Sequence, residues 1–203
     1  MKRIDIFVLG MVQVNTYLLW EDDHVLIIDP GSKSPKLQEK IDSNNGIVDG
    51  IVLTHAHFDH IAGVDALIKK YHCPLYINDL DIPLLTDPEL NFSFGEPIIV
   101  KSKPEVLKPG MNTIGAFTLR AIDAPGHSEG CTMLQWDQNL FCGDVLFQGS
   151  IGRTDLATSS NTKMMQSLRM IKETLSPDLI VYPGHGPKTT LEAEFKYNPY
   201  LQF

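Results

Sequence analysis

The sequence predicts a mixed α/β fold, and three observations carry that prediction. Short apolar runs of strand length recur along the chain, among them Val25-Leu26-Ile27-Ile28, Ile51-Val52-Leu53 and Leu179-Ile180-Val181-Tyr182. Two longer segments repeat apolar residues with the period of a helix. The two kinds of segment interleave without a consistent single crossover unit, so mixed rather than purely parallel sheets are expected.

In chain order, strands are expected near residues 3–9, 14–20 and 24–29, the last two joined by the acidic turn at 21–23. Residues 34–44 read as a helix because Ser34-Pro35 puts proline at the first helical position, where its missing N–H would have had no partner anyway. Ile61, Val64, Leu67, Ile68 and Tyr71 then give a helix over 60–71 with one face on a sheet. Three later strands each end in a turn containing glycine: Leu119 to Ala124 before Pro125-Gly126-His127, Leu140 to Cys142 before Gly143-Asp144, and Leu179 to Tyr182 before Pro183-Gly184-His185-Gly186-Pro187. Met164, Met165, Leu168, Ile171 and Leu175 are the apolar stripe of a helix over 161–175, and this Met-rich stripe is core rather than a binding surface. A strand, a ligand-bearing turn and a helix are expected once per half, around 51–71 and 119–132, which hints at a pseudo-twofold. Residues 72–104 hold five prolines and the aromatics Phe92 and Phe94, and form either a lid or pocket wall or a simple ordered connection.

A chain of 203 residues with 43% hydrophobic content can bury one full core, so residues 1–203 are expected to be a single domain. A formal net charge of −8, with only 17 Lys and Arg, repels a polyanion and argues against nucleic acid. Cys73, Cys131 and Cys142 are odd in number and show no C-x-x-C spacing, which points to a reducing compartment. Cys142, on a core strand, reads as a small buried hydrophobe. The apolar N-terminal stretch is interrupted by Asp5, Gln13 and Asn15, and no small-residue cleavage site follows. No run approaches the roughly 18 apolar residues that span a bilayer. A cytoplasmic location without membrane contact is the expectation.

Residues 54–60 read Thr54-His55-Ala56-His57-Phe58-Asp59-His60, directly after an apolar strand. Three imidazoles and a carboxylate in so short a loop are a metal site, since these donors suit zinc, iron, nickel or copper. His55 and His57 alternate by two where the strand gives out, and Asp59 and His60 follow on the turn into the helix. His127, Asp144 and His185 extend the donor set, each on a loop that closes a strand, where a rigid element aims a side chain from a short loop. Five of the seven histidines lie in these motifs; His24, in a polar turn, and His72, at a helix end, read as non-functional.

The HxHxDH motif at 55–60, Pro125-Gly126-His127, Gly143-Asp144 and Pro183-Gly184-His185-Gly186-Pro187, preceded by Asp29-Pro30-Gly31, resemble the metallo-β-lactamase fold superfamily in identity and order. The stretch Gly143 to Phe147 with Gly149 to Asp155, and the ending with Thr189-Thr190 and Asn198-Pro199-Tyr200-Leu201, are similar to its short bacterial hydroxyacylglutathione-hydrolase-like, or type II glyoxalase-like, branch. The resemblance implies a four-layer αββα sandwich. It also implies two divalent metal ions, zinc first with iron or manganese as alternatives: His55, His57 and His127 on one, Asp59, His60 and His185 on the other, and Asp144 between them.

Seven ligands are one bridge short of two tetrahedral sites, so two ions sharing Asp144 and a hydroxide fit the set better than one. The implied chemistry is attack of that hydroxide, oriented by Asp59, on a small acyl thioester, whose thiol leaves as thiolate without a dedicated acid. The full-length type II glyoxalases hold glutathione with a C-terminal helical region that has no counterpart here, and Arg153 is the best remaining basic candidate for the substrate. Arg153 and Asp155 can equally form a structural ion pair. The rival within the fold is a persulfide dioxygenase with one iron on His55, His127 and Asp144. A lactonase or β-lactamase is disfavoured by Asp144 and by the lack of a ligand cysteine.

Overall fold

The structure, a computed structural model, describes all 203 residues. Four layers form from two six-stranded sheets packed face to face, each with helices on its outer side. The first sheet runs β1 (Lys2–Leu9), β2 (Val14–Glu21), β3 (His24–Ile28), β4 (Ile47–Val52), β5 (Leu75–Ile77) and β6 (Glu105–Val106). Its first pairs are antiparallel and those from β3 onward are parallel. The second sheet has the order β14 (Thr189–Thr190), β13 (Ile180–Pro183), β10 (Asn139–Gly143), β9 (Thr132–Trp136), β8 (Phe117–Asp123) and β7 (Gly110–Ile114). Only β10 and β13 are parallel there. A short ribbon, β11 (Leu146–Phe147) with β12 (Ser150–Ile151), leaves the second sheet at the site end.

The layering follows from the alternation of side chains along strands that are apolar on both faces. Along β2 and β3, Leu18, Trp20, Val25 and Ile27 point outward to α1 (Pro35–Ser43) and α3 (Val64–Tyr71), meeting Leu37, Ile41, Val64 and Leu67. Tyr17, Leu19, Leu26 and Ile28 point inward and meet Phe117, Leu119, Trp136, Phe141 and Tyr182 of the second sheet. On the far side α4 (Asn161–Thr174) and α5 (Leu191–Tyr197) lay Met164, Leu168, Ile171 and Leu191 over Met133, Leu140 and Val181. Each such fully buried aliphatic side chain contributes about 1.5–3 kcal/mol of transfer free energy. The Met-rich stripe of α4 is therefore core.

The expected strands and helices are present, with three differences. The helix expected over 60–71 is two pieces, α2 (Phe58–Ile61) and α3, separated at Ala62-Gly63. A Cβ on Gly63 would stand 2.5 Å from the Ser32 carbonyl oxygen, and its N–H donates to the Pro30 carbonyl at 2.8 Å, so the loop after β3 presses into the gap. The pseudo-twofold is not carried through: the turn after β8 leads into the strand β9 and not into a helix. Residues 72–104 contain β5 and a 3₁₀ helix over Asp79–Leu85, opened by the Asn78 side chain, which accepts from Leu80 N–H. The three cysteines are buried and unbridged. No helix is long and apolar enough to cross a membrane.

Candidate metal centre

All seven candidate ligands gather where strand ends of both sheets meet. The loop after β4 carries His55 and His57, and α2 carries Asp59 and His60. The loop after β8 carries His127, the end of β10 carries Asp144, and the end of β13 carries His185. Ligand atoms of His55, His57 and His127 lie within 4.8 Å of one another, as do those of Asp59, His60 and His185 and those of His55, His60 and Asp144. Asp144 is central: its carboxylate is 3.4 Å from His60 Nε2, 3.5 Å from His127 Nε2 and 3.6 Å from His185 Nε2. Glycine makes this closeness feasible, since a Cβ on Gly184 would fall 2.1 Å from Asp144 Oδ1.

The ring nitrogens are sorted by their outer hydrogen bonds. His60 Nδ1 pairs with Asp29 at 2.9 Å, His127 Nδ1 with the Arg153 carbonyl at 2.9 Å, and His185 Nδ1 with the Val12 carbonyl at 3.1 Å. His55 Nδ1 stands 3.2 Å from Thr54 Oγ1, which donates to Asp29 at 2.6 Å. An Nδ1 occupied in this way leaves Nε2 as the free lone pair, as in metal-bound histidine. His57 is reversed, its Nδ1 facing His127 Nε2 at 2.8 Å. The buried Nε2 atoms of His55, His57 and His60 and Oδ1 of Asp144 have no hydrogen-bond partner in the protein. A buried polar atom left unpaired costs about 1–3 kcal/mol, and His55 Nε2, His60 Nε2 and Asp144 Oδ1, left without protein partners among the clustered donors, fit a cluster of cations.

Burial, then the neighbouring imidazoles, holds His55 well below the usual histidine range and His57 at about 3. Burial also disfavours charge on His60 and His185, but it is outweighed: Asp59, Asp29 and Asp144 raise His60, and Asp59 with Asp144 raises His185. Burial would raise Asp59 and Asp144, and the facing histidines overcome it and keep both carboxyls below their ordinary range. The protein thus presents two carboxylates where cations would be neutralised.

Two carboxylates with no metal-ligand role in the sequence reading brace these loops. Asp29, in the left-handed region at φ +49°, ties His60 to Thr54, accepting from the Thr54 N–H and Oγ1. Asp81, fully buried in the 3₁₀ segment, accepts from Ala56 N–H at 3.1 Å, Gly130 N–H at 2.7 Å and Ser128 Oγ at 2.7 Å. It therefore joins the loop of His55 and His57 to that of His127. Arg153 reaches the rim of the metal pocket, but its guanidinium is exposed and makes two bonds of 2.7 and 2.8 Å to Asp155. Its backbone carbonyl, bonded to His127, is its tie to the ligand set. Phe92, at φ +62°, sets its ring edge-on to His57 with centroids 5.4 Å apart. His24 is remote and pairs with Asp49 at 2.8 Å, and His72 is the left-handed cap of α3.

A family model described as Metallo-beta-lactamase superfamily matches residues 9–185. The chain is similar to the probable metallo-hydrolase YqgX of Bacillus subtilis, with 38% identity covering 95% of this chain and 94% of that protein. Similarity to the hydroxyacylglutathione hydrolase GloC of Haemophilus influenzae is 31%, covering 98% of both. Among solved structures, BLEG-1, described as a B3 metallo-beta-lactamase, aligns with a TM-score of 0.92 and 36% identity over 99% of this chain and 100% of its own. TTHA1623 in a di-iron-bound form aligns with a TM-score of 0.86 and 34% identity over 97% and 100%.

Proposed function

Because this chain belongs to the metallo-beta-lactamase superfamily, which makes it a metal-dependent hydrolase by family, we propose that it cleaves small acyl thioesters with two bound divalent metal ions. The observation that carries the reading is Asp144, whose Oδ1 lies 3.4 Å from His60 Nε2 and whose Oδ2 lies 3.5 Å from His127 Nε2 and 3.6 Å from His185 Nε2, so that one carboxylate touches both sets of histidines. His55, His57 and His127 would hold one ion and Asp59, His60 and His185 the other, with Asp144 between them; zinc is the first candidate and iron the second. Two such ions, when bound, polarise a carbonyl and lower the pKa of a shared water toward ~7.

The residues around the ligands favour a leaving group that needs no help. Val12, Phe58, Phe92, Phe94 and Leu156 line a cavity of about 260 Å³ and exclude water from a short acyl group. Apart from the ligands themselves, Arg153 is the one ionisable side chain in that lining, and a guanidinium gives up no proton near neutral pH. A thiol, with an intrinsic pKa of about 8.5, leaves as thiolate without an acid. An amide or lactam nitrogen is a poorer leaving group. Asp59 Oδ2, held ionised 3.0 Å from His185 Nε2 at the mouth of the pocket, orients the attacking water.

A second reading, lactam hydrolysis, is favoured by the likeness to BLEG-1. Both are tested by steady-state kinetics of the metal-loaded protein on S-lactoyl thioesters of glutathione and of a truncated thiol, and on a chromogenic cephalosporin. The thioesters should exceed the lactam in kcat/KM by at least about a hundredfold, which is about 2.7 kcal/mol, and the two carriers should differ by less than that. The reverse order would replace the thioester reading with the lactam one.

A further inference from the structure

Beside the metal pocket runs a second groove of about 660 Å³. The two share Val12, Phe58, Asp59 and Phe94, so they form one continuous surface that passes the mouth of the site. The metal pocket, at about 260 Å³, falls below the roughly 300–1,000 Å³ that encloses a drug-sized ligand. A longer substrate must therefore continue outside it.

The lining of the groove is selective. Apolar side chains stand open to solvent along it, Met11 at 97% and Phe94 at 82% exposure, with Val12 and Ile99 near half. Exposed apolar residues grouped on one concavity mark a binding surface more often than scattered ones do. Of its charged residues, Asp59 faces the metal centre and Asp65 is committed: its carboxylate accepts from Lys101 N–H, Ser102 N–H and Ser102 Oγ at 2.9, 3.1 and 2.7 Å. Lys33 and Glu96 have no ion-pair partner, and Lys33 is the groove's one cation.

We propose that this groove binds the longer, non-reacting arm of the substrate, an extended and mainly apolar arm that ends in a carboxylate. Its apolar part lies on Met11, Phe94 and Ile99, and its carboxylate meets Lys33. The proposal rests on the thioester reading and extends it from the reacting carbonyl beside Asp59 to the rest of the molecule. A thiol carrier or an acyl chain supplies the same chemistry, and the test separates them.

Calorimetry on the full-length, metal-loaded chain reads binding without turnover. S-methylglutathione against its dimethyl ester probes the thiol side, and glutarate against butyrate probes the acyl side. In one of the two pairs the wild type should bind the member with the additional carboxylate charge, S-methylglutathione or glutarate, about fivefold more tightly, the range of one solvent-exposed charge pair, and Lys33→Glu should abolish that preference. The pair affected names the arm. Phe94→Ala should weaken both members of that pair alike by a similar factor. If wild type and Lys33→Glu differ by less than twofold in both pairs, the proposal is overturned. Failure of the thioester reading looks different: the probes bind with the Lys33 dependence intact while no thioester is turned over.

Discussion

The two groups of candidate ligands sit side by side yet are built on opposite electrostatic plans. His55, His57 and His127 are all imidazole, buried to at least 96%, and the first two are kept neutral by burial. Asp59, His60 and His185 mix carboxylate with imidazole, and His185 keeps a quarter of its side chain exposed. In the metal-free protein the second group stores its charge internally, with His60 and His185 raised and Asp59 lowered. His55 and His57 of the first group can receive a cation as they stand. The second must first give up protons, and the two should therefore differ in affinity, in pH dependence and in what braces them.

The largest effect should come from removing the residue common to both. Asp144→Ala is expected to lower kcat by about a thousandfold, the upper range for losing one preorganised electrostatic contact in an active site. Arg153→Ala should change kcat less than about threefold, since its guanidinium is already paired with Asp155 in solvent. Rates at saturating substrate make the comparison, and equal losses would remove Asp144 from its central role.

Asp29 bonds His60 of the second group directly and reaches His55 of the first only through Thr54 Oγ1, so Asp29→Asn should weaken one ion per chain by about 10–100-fold and the other clearly less. Asparagine tolerates the left-handed backbone at this position, which keeps the test on the hydrogen bond rather than the fold. Competition with a chelator resolves the two affinities; a uniform loss at both would show that the brace serves the centre as a whole.

Acid should separate the groups as well. Below their raised pKa, His60 and His185 hold protons that an ion has to displace, so affinity at the second group falls as pH drops from neutrality. His57, at about 3, stays neutral over the same range and the first group keeps its ion. Dialysis at stepped pH should take the metal content from two to one before it reaches zero. Loss of both ions in one step would contradict the difference drawn between them.

The layers of the fold were readable because Tyr17 to Trp20 of β2 and Val25 to Ile28 of β3 are apolar without alternation, which a sheet buried on both faces requires. The candidate ligands were readable because each set follows a strand, and His127, Asp144 and His185 each come directly after a glycine. The braces were not. Asp81 sits in the proline-rich 72–104 stretch, where no periodicity separates a buried carboxylate from a solvated one, and it became visible only when Ala56, Ser128 and Gly130 closed around it. Asp29 was noticed as part of Asp29-Pro30-Gly31, yet its bonds to Thr54 and His60 span 25 and 31 residues. The break at Gly63 was hidden for the same reason, its cause being the loop at Pro30 to Ser32. Residues 72–104 serve as both wall and connection, with Phe92 and Phe94 on the pocket and Leu75, Ile77, Leu84, Leu85 and Val100 packed in the core under the first sheet.

Metal content per chain, measured by elemental analysis together with the spectroscopic signature of a cobalt-substituted centre, tests the two-group account most directly. Wild type should hold close to two ions, His60→Ala close to one, and the remaining ion should keep an imidazole-rich spectrum with the fold intact. A single tightly bound iron, present in equal amount in wild type and His60→Ala, would contradict the account and favour a mononuclear dioxygenase centre on His55, His127 and Asp144.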